Sequence, residues 1–313
     1  MQSYSIKDAV CASPATTFAA GVLFVASRYY TDGLNVSNGS LTLGVVVMAL
    51  LLQGISNSND IIRTRFWMVS TVYLLLSVAT HSVLKLELSL LCIPLYAFSL
   101  HFLMQSFQEY HAERWIFPSF LCLGIACLFY APIIWMTPVF WFMMLALLNV
   151  FNVRTFLASL IALSVVAEVT LISLFATGQT GMAETFLPQL VKFSIPIITA
   201  WTLNEVLSFI IVIFVYVLAR IHCQQTSYSD KIHTRARLKV IIFNNVFLLA
   251  MFIFRSDESN VLFQLLILGF SPIIAHYFTL SRGFFANIFF VLSILLLGAL
   301  YTLETWSTLL HYL

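Results

Sequence analysis

Two glutamates inside long apolar stretches are the side chains of this sequence best suited to chemistry. Glu168 lies deep in the stretch 155–177, and Glu205 lies near the start of the stretch 202–222. Burying an ionisable group at membrane depth costs at least ~2.5 kcal/mol, so such a group indicates a functional site by default. We expect His81 and Gln264 at a similar depth. Together these four side chains predict an outward-opening polar pocket for a proton, a cation or a substrate.

A structural interpretation of the same glutamates stays open. Glu168 could hold two helices together through a hydrogen bond. Glu205 could sit at a helix N-terminus, where the helix dipole favours an anion. Further polar residues inside apolar stretches are typical of such contacts between helices, and these are His101 with Gln105, the pair Asn244 and Asn245, and His276.

An enzymatic alternative rests on Asp32. This residue closes the segment Arg28-Tyr-Tyr-Thr-Asp32, which follows the first apolar stretch. An acidic residue in an outer loop after the first helix resembles the catalytic base of polyprenol-phosphate-dependent membrane glycosyltransferases. The resemblance implies an enzyme that acts on lipid-linked glycans with Asp32 as its base. The predicted loop 28–40 is short for that class, so we favour a protein that is not an enzyme.

The longest polar stretch, from Gln224 to Lys239, is basic. If its second half is helical, three cations spaced four residues apart form one stripe, namely Lys231, Arg235 and Lys239. Such a stripe can contact the head groups of anionic lipids. The same charges could equally act only as a topology signal that retains the loop on one side of the membrane.

The composition limits the remaining partners and cofactors. The net charge of +2 is too small to indicate binding of nucleic acid. The common nucleotide, zinc and nucleophile motifs are absent from the sequence, and the five cysteines do not form a metal-binding pattern. The prediction is therefore a protein without a cofactor or metal, whose partners are membrane lipids and other membrane proteins of the cell envelope.

Hydrophobic residues make up 61% of the chain, charged residues make up 9%, and the mean hydropathy is +0.97. Residues 115–153, between Arg114 and Arg154, contain no Asp, Glu, Lys, Arg or His for 39 positions. A helix needs ~20 apolar residues to cross a bilayer. This run therefore predicts two crossings and a tight turn, and the composition predicts an all-α, polytopic integral membrane protein.

Apolar windows bounded by polar residues predict eleven transmembrane helices. They are 10–27, 41–56, 66–84, 88–107, 115–131, 133–150, 155–177, 202–222, 238–255, 260–279 and 285–303. Summed over alternate sides, eleven Lys and Arg residues lie on the side of the N-terminus and four on the other. This asymmetry predicts a cytoplasmic N-terminus and an outer C-terminus. We expect one membrane domain over 1–313, with ten helices if residues 1–27 are a cleaved signal.

From about Asn59 onward the chain resembles a family of uncharacterised polytopic inner-membrane proteins from the Bacteroidota. The resemblance rests on Leu128-Phe-Tyr-Ala-Pro132, on Asn152-Val-Arg-Thr-Phe-Leu-Ala-Ser159 and on Ser271-Pro-Ile-Ile-Ala-His-Tyr-Phe278. It implies a multi-pass protein of a Gram-negative inner membrane and transfers no activity. The residues suggest structural roles instead: a hairpin turn at Pro132, a cytoplasmic anchor at Arg154 and a kinked or broken helix at Pro272.

Three classes of function remain. A carrier or permease would use the outer polar site around Glu168 and Glu205. An accessory component of cell-envelope biogenesis would act by packing against other membrane proteins. A lipid-linked glycan enzyme would use Asp32. The sequence favours the first two classes, because catalysis needs more convergent polar groups than the loops supply.

Overall fold

The computed structural model describes residues 7, 10–11, 13–32, 36–62, 67–80, 88–178, 203–226, 228, 230–254, 259–281 and 284–312. Within these residues all regular structure is helical. The α-helices, numbered in chain order, are α1 Ala15–Asp32, α2 Val36–Ser58, α3 Met68–Ala79, α4 Cys92–Gln105, α5 Glu113–Phe129, α6 Met136–Ala146, α7 Val153–Thr177, α8 Leu203–Thr226, α9 Ile232–Phe254, α10 Ser259–Leu280 and α11 Phe284–Tyr312. Short 3₁₀ helices cover Leu88–Leu91 and Ala131–Trp135.

The all-helical class is confirmed for the described residues. Each of the eleven predicted spans overlaps one α-helix. Four described segments are long and apolar enough to cross a membrane, and they are Val153–Thr177, Val206–Thr226, Ile232–Phe254 and Asn260–Leu280. Five further apolar helices are shorter than this, between 10 and 17 residues. The number of crossings stays a prediction, because helix length and composition support four of them.

The uncharged run between Arg114 and Arg154 forms the expected hairpin. Helix α5 ends at Phe129, the 3₁₀ helix Ala131–Trp135 makes the turn with a proline at its start, and α6 returns. The rings of Phe120 and Phe140, each ten residues from Tyr130, meet edge to face with centroids 5.9 Å apart. Helix α6, with 11 residues, is shorter than the predicted span 133–150, since the turn extends to Trp135 and the helix ends at Ala146.

Two local expectations are corrected. The predicted outer loop 28–40 is largely helical, because α1 continues to Asp32 and α2 already begins at Val36. Pro272 does not break its helix, which runs without interruption from Ser259 to Leu280. Next to this proline the Ser271 hydroxyl donates to the Ile267 carbonyl at 2.6 Å.

The chain divides into two compact units. The first comprises Met1–Glu87, Ile197–Arg235 and Phe263–Leu313, and the second comprises Leu88–Pro196 and Ala236–Leu262. The described residues of both units are mainly apolar helices. The prediction of one membrane domain over the whole chain therefore stays a prediction, since compactness within each unit does not test it.

In the second unit, α7 begins at a well-formed cap and packs closely on α5. The Asn152 side chain accepts from the Thr155 backbone N–H at 2.9 Å, and the Thr155 hydroxyl accepts in return from the Asn152 N–H. This capping box explains the Asn152-Val-Arg-Thr motif, because it satisfies two N–H groups that a helix start leaves open. Further along, Gly124 of α5 lets Val166 of α7 approach.

Candidate functional site: a buried ionisable cluster in the first unit

Helices α8 and α10 pack side by side in the same direction. Three ring contacts join them at steps of six or seven residues along each helix, and these are Phe209 with Phe263 at 5.8 Å, Tyr216 with Phe270 at 4.0 Å and His222 with Tyr277 at 4.7 Å between centroids. Because both residue numbers rise together, the two helices are parallel. Their C-terminal ends therefore lie at the same end of this unit.

A buried acid–histidine pair lies at that end. The Oδ2 atom of Asp230 is 3.6 Å from Nε2 of His276, and both side chains have no exposed surface. Asp230 lies in the connection between α8 and α9, two residues before α9 begins. The N-terminus of a helix carries partial positive charge, so the first residues of α9 help to stabilise this carboxylate. Neither ring nitrogen of His276 has a hydrogen bond within the described part of the chain.

The N-terminal segment brings a cation to the same place. Lys7 is buried, and its ammonium donates to the carbonyl of Ser281 and also to the Ser281 hydroxyl at 3.3 Å. One turn earlier on α10, the Phe278 carbonyl accepts from the Cys11 thiol at 3.6 Å. A lysine at the C-terminal end of a helix binds carbonyls that lack a partner in the helix and complements the negative end of the dipole.

Two residues of α8 lie next to these groups. His222 is close enough to His276 and Lys7 to interact with both electrostatically. Cys223 is buried and interacts electrostatically with Asp230. We call Lys7, His222, Asp230 and His276 the inner cluster. It gathers one carboxylate, one ammonium and two imidazoles from four segments of the chain.

The inner cluster can bind and exchange protons. Histidine changes its charge near neutral pH, and a carboxylate that pairs with imidazole can accept or release a proton with it. Chains of acid and histidine groups inside membrane proteins are typical of proton pathways. The described residues contain no group of three or more His, Cys, Asp or Glu side chains placed to hold a metal ion.

The predicted outer site is described only in part. Glu168 lies on the exposed side of α7, and no described residue forms a hydrogen bond with its carboxylate. Gln264 of α10 is buried in the first unit, and both atoms of its amide lack a hydrogen bond within the described part of the chain. Glu205 belongs to α8, but its side chain lies outside the described residues, as does His81. Their grouping into one pocket stays a prediction.

The other predicted residues take the following positions. Asp32 is the last residue of α1, and its side chain lies outside the described part of the chain. The stripe of three cations is exposed at Lys231 and Lys239 and half-buried at Arg235. Since α9 begins at Ile232, the last two stand on one helix with the predicted spacing of four residues.

One predicted contact between helices is present in the second unit. The buried hydroxyl of Tyr96 on α4 donates to the Asn244 side-chain oxygen on α9. This bond agrees with the structural interpretation of Asn244.

Outside the apolar segments, Glu113 lies at the start of α5. Its carboxyl accepts a hydrogen bond from its own backbone N–H and another from the His111 side chain, and both lower the pKa of this carboxyl.

The sequence pointed to only one member of the inner cluster, His276, and gave it a structural role. Lys7 contributes only to the excess of Lys and Arg on the N-terminal side, and no motif contains Asp230 or His222. A usable signal existed for Asp230, the single acid of the polar stretch from Gln224 to Lys239. An acidic residue in a basic loop is expected to form an ion pair, although residue spacing could not identify its partner, Nε2 of His276 on α10.

Comparison of the chain with protein-family models, with curated proteins and with solved structures found no match. The resemblance to the inner-membrane family of Bacteroidota therefore stays a prediction.

Proposed function

We propose that the protein is a multi-pass membrane carrier of the cell envelope. Its conformational change is coupled to a proton that the inner cluster holds. The buried pair of Asp230 and His276 is the observation that carries the proposal. In a chain with 9% charged residues, this unit keeps an acid, a histidine and a lysine buried, next to a second, half-buried histidine. Buried pairs stabilise a fold weakly, so their presence favours a functional reason.

The finer topology belongs to the same proposal. We infer eleven spans in the inner membrane, with the N-terminus in the cytoplasm and the C-terminus outside, from the excess of Lys and Arg on one side. The parallel course of α8 and α10 supports this scheme, because the scheme requires both helices to start on the same side of the membrane. The inner cluster then lies near the cytoplasmic face.

The predicted outer site would be the second binding site of the carrier. Gln264 and His276 stand on the same helix, 12 residues or about 18 Å apart along its axis. Gln264 has an amide without a described hydrogen bond, so it is free to contact a polar substrate or ion. Glu205 and His81 would lie with Gln264 on the outer side, while α10 connects this outer site to the proton site.

Native cysteine chemistry tests the proposal. We would prepare the full chain with Cys223 as its only cysteine and follow maleimide labelling in liposomes between about pH 5 and 8, where histidine titrates. Cys223 is buried beside Asp230, so labelling requires α8 to move. Because maleimide reacts with the thiolate, each rate is divided by that of a free thiol at the same pH. We expect this relative rate to depend on pH and to lose that dependence in Asp230→Asn and in His276→Gln.

A matched variant with Cys92 as its only cysteine is the control. Cys92 is equally buried but belongs to the second unit, which contributes no residue to the inner cluster. Its labelling should be slow at every pH. If the relative rate of Cys223 is the same across the range, or if Asp230→Asn keeps its dependence on pH, proton coupling through this cluster is wrong.

An accessory role in envelope biogenesis is a second candidate, favoured by one observation. The side of α7 that carries Glu168 is exposed along the whole helix, which suits a helix that packs against another membrane protein. Contacts of Lys231, Arg235 and Lys239 with anionic lipids fit either role. No described feature favours the glycan enzyme based on Asp32.

A further inference from the structure

Helix α7 has two opposite faces with different surroundings. Thr155, Ser159 and Ala162 are its buried residues, and they point toward the rest of the second unit. The Ser159 hydroxyl accepts from the Trp141 ring N–H at 3.0 Å. The same face approaches α5 at Gly124. This packing determines which residues of α7 point away from the unit.

The opposite face carries an uninterrupted stripe of exposed residues. Its members follow one another at steps of four and three, and they are Leu157, Ile161, Ser164, Glu168, Leu171 and Phe175. Alternating steps of four and three form the seam of a left-handed pair of helices. We call these six residues the α7 stripe.

The polar members of the stripe call for a partner that lipid cannot supply. Lipid tails solvate Leu157, Ile161 and Phe175 well, but they offer nothing to a carboxylate. Glu168 receives no hydrogen bond from a described residue. One turn before it, the Ser164 hydroxyl donates only to the Ile161 carbonyl of its own helix, at 2.9 Å.

We propose that the α7 stripe is the contact between two copies of this chain, packed as parallel α7 helices. In this arrangement the Ser164 hydroxyl of each copy donates to the Glu168 carboxylate of the other. The proposal does not depend on the proton site of the first unit.

The choice of a second copy follows from the order of donor and acceptor. Two copies inserted in the same orientation are related by a two-fold axis along the membrane normal, which makes their α7 helices parallel. Side chains on a helix lean toward its N-terminus, so Glu168 leans toward the level of Ser164. The two-fold symmetry then gives two equivalent hydrogen bonds, in each of which the Ser164 hydroxyl of one copy donates to the Glu168 carboxylate of the other.

Self-association is measured by energy transfer between labelled full-length chains in liposomes at decreasing protein-to-lipid ratios. We expect a dimer whose dissociation constant rises about ten-fold in Glu168→Leu, as for one or two interhelical hydrogen bonds. Ser164→Ala should have a similar effect, and the double variant should be little weaker than either. Glu168→Gln keeps an acceptor and should stay close to the wild type.

Cross-linking fixes the geometry. In a background without the native cysteines, Leu157→Cys places a thiol on the stripe, where 50% of the side chain is exposed. Val169→Cys is the matched control, because Val169 is 62% exposed but lies well to the side of the stripe. We expect oxidation to give a covalent dimer from the first variant and a monomer from the second.

Three results would overturn the proposal. They are a purified chain that stays monomeric at every lipid ratio, equal cross-linking through both cysteines, and a Glu168→Leu protein that associates like the wild type. The first would also mean that a different membrane protein covers the stripe. Since all of these substitutions lie on an exposed face, the variants should fold.

Discussion

Replacing Gly124 by alanine tests the packing that orients α7. A Cβ atom on Gly124 would lie 3.1 Å from Cγ2 and 3.3 Å from Cβ of Val166. Carbon atoms in contact prefer about 3.5–4.0 Å, so the neighbours must move by roughly half an ångström. Overpacking of this kind costs about 1–3 kcal/mol. Alanine also favours a helix over glycine by about 1 kcal/mol, which leaves a net loss of roughly 0–2 kcal/mol.

Gly54 is the matched control for this substitution. It lies inside α2, and a Cβ atom there would meet nothing within 4 Å. Gly54→Ala should therefore gain up to about 1 kcal/mol of stability from helix propensity alone. The two variants should differ by about 1–3 kcal/mol, with Gly124→Ala the less stable.

The free energy of unfolding would be measured by detergent-induced unfolding in mixed micelles, with tryptophan fluorescence as the signal. Trp141 donates to Ser159 of α7, so it reports on this part of the unit. Val166→Ala in the Gly124→Ala background removes the closest carbon and should restore part of the loss. Equal stabilities for Gly124→Ala and Gly54→Ala would refute the close approach of α5 and α7.

Three further predictions concern other contacts. Asn152→Ala removes the cap of α7 and should lower the unfolding free energy by about 1 kcal/mol, whereas Asn152→Ser should retain most of it. Tyr96→Phe leaves the buried Asn244 oxygen without its donor and should cost about 1–3 kcal/mol, part of which the further change Asn244→Leu should restore. Native mass spectrometry should detect fewer retained anionic lipids, at about 1 kcal/mol per cation, when glutamine replaces Lys231, Arg235 and Lys239.

The sequence was sufficient for the helices because their signal is local. An apolar stretch of about 20 residues between polar residues predicts a membrane helix wherever it occurs. Each predicted span accordingly overlaps a helix, and the turn near Pro132 lies where the residues indicated. Helix α7 begins at Val153, two residues before the predicted span 155–177. Helix ends were less accurate, as the extension of α1 to Asp32 shows, because polar residues can continue a helix beyond its apolar part.

What the sequence by itself determined is the class of the protein: helical, apolar and suited to a membrane. Only the tertiary structure decided which side chains meet. Lys7, Asp230 and His276 come from distant parts of the chain, and no spacing rule connects them. The sequence equally could not predict that Glu168 is exposed, since the apolar residues around it suit both a lipid-facing surface and a protein interior. Hydropathy therefore identifies a helix that can enter a membrane, but not the face by which it packs.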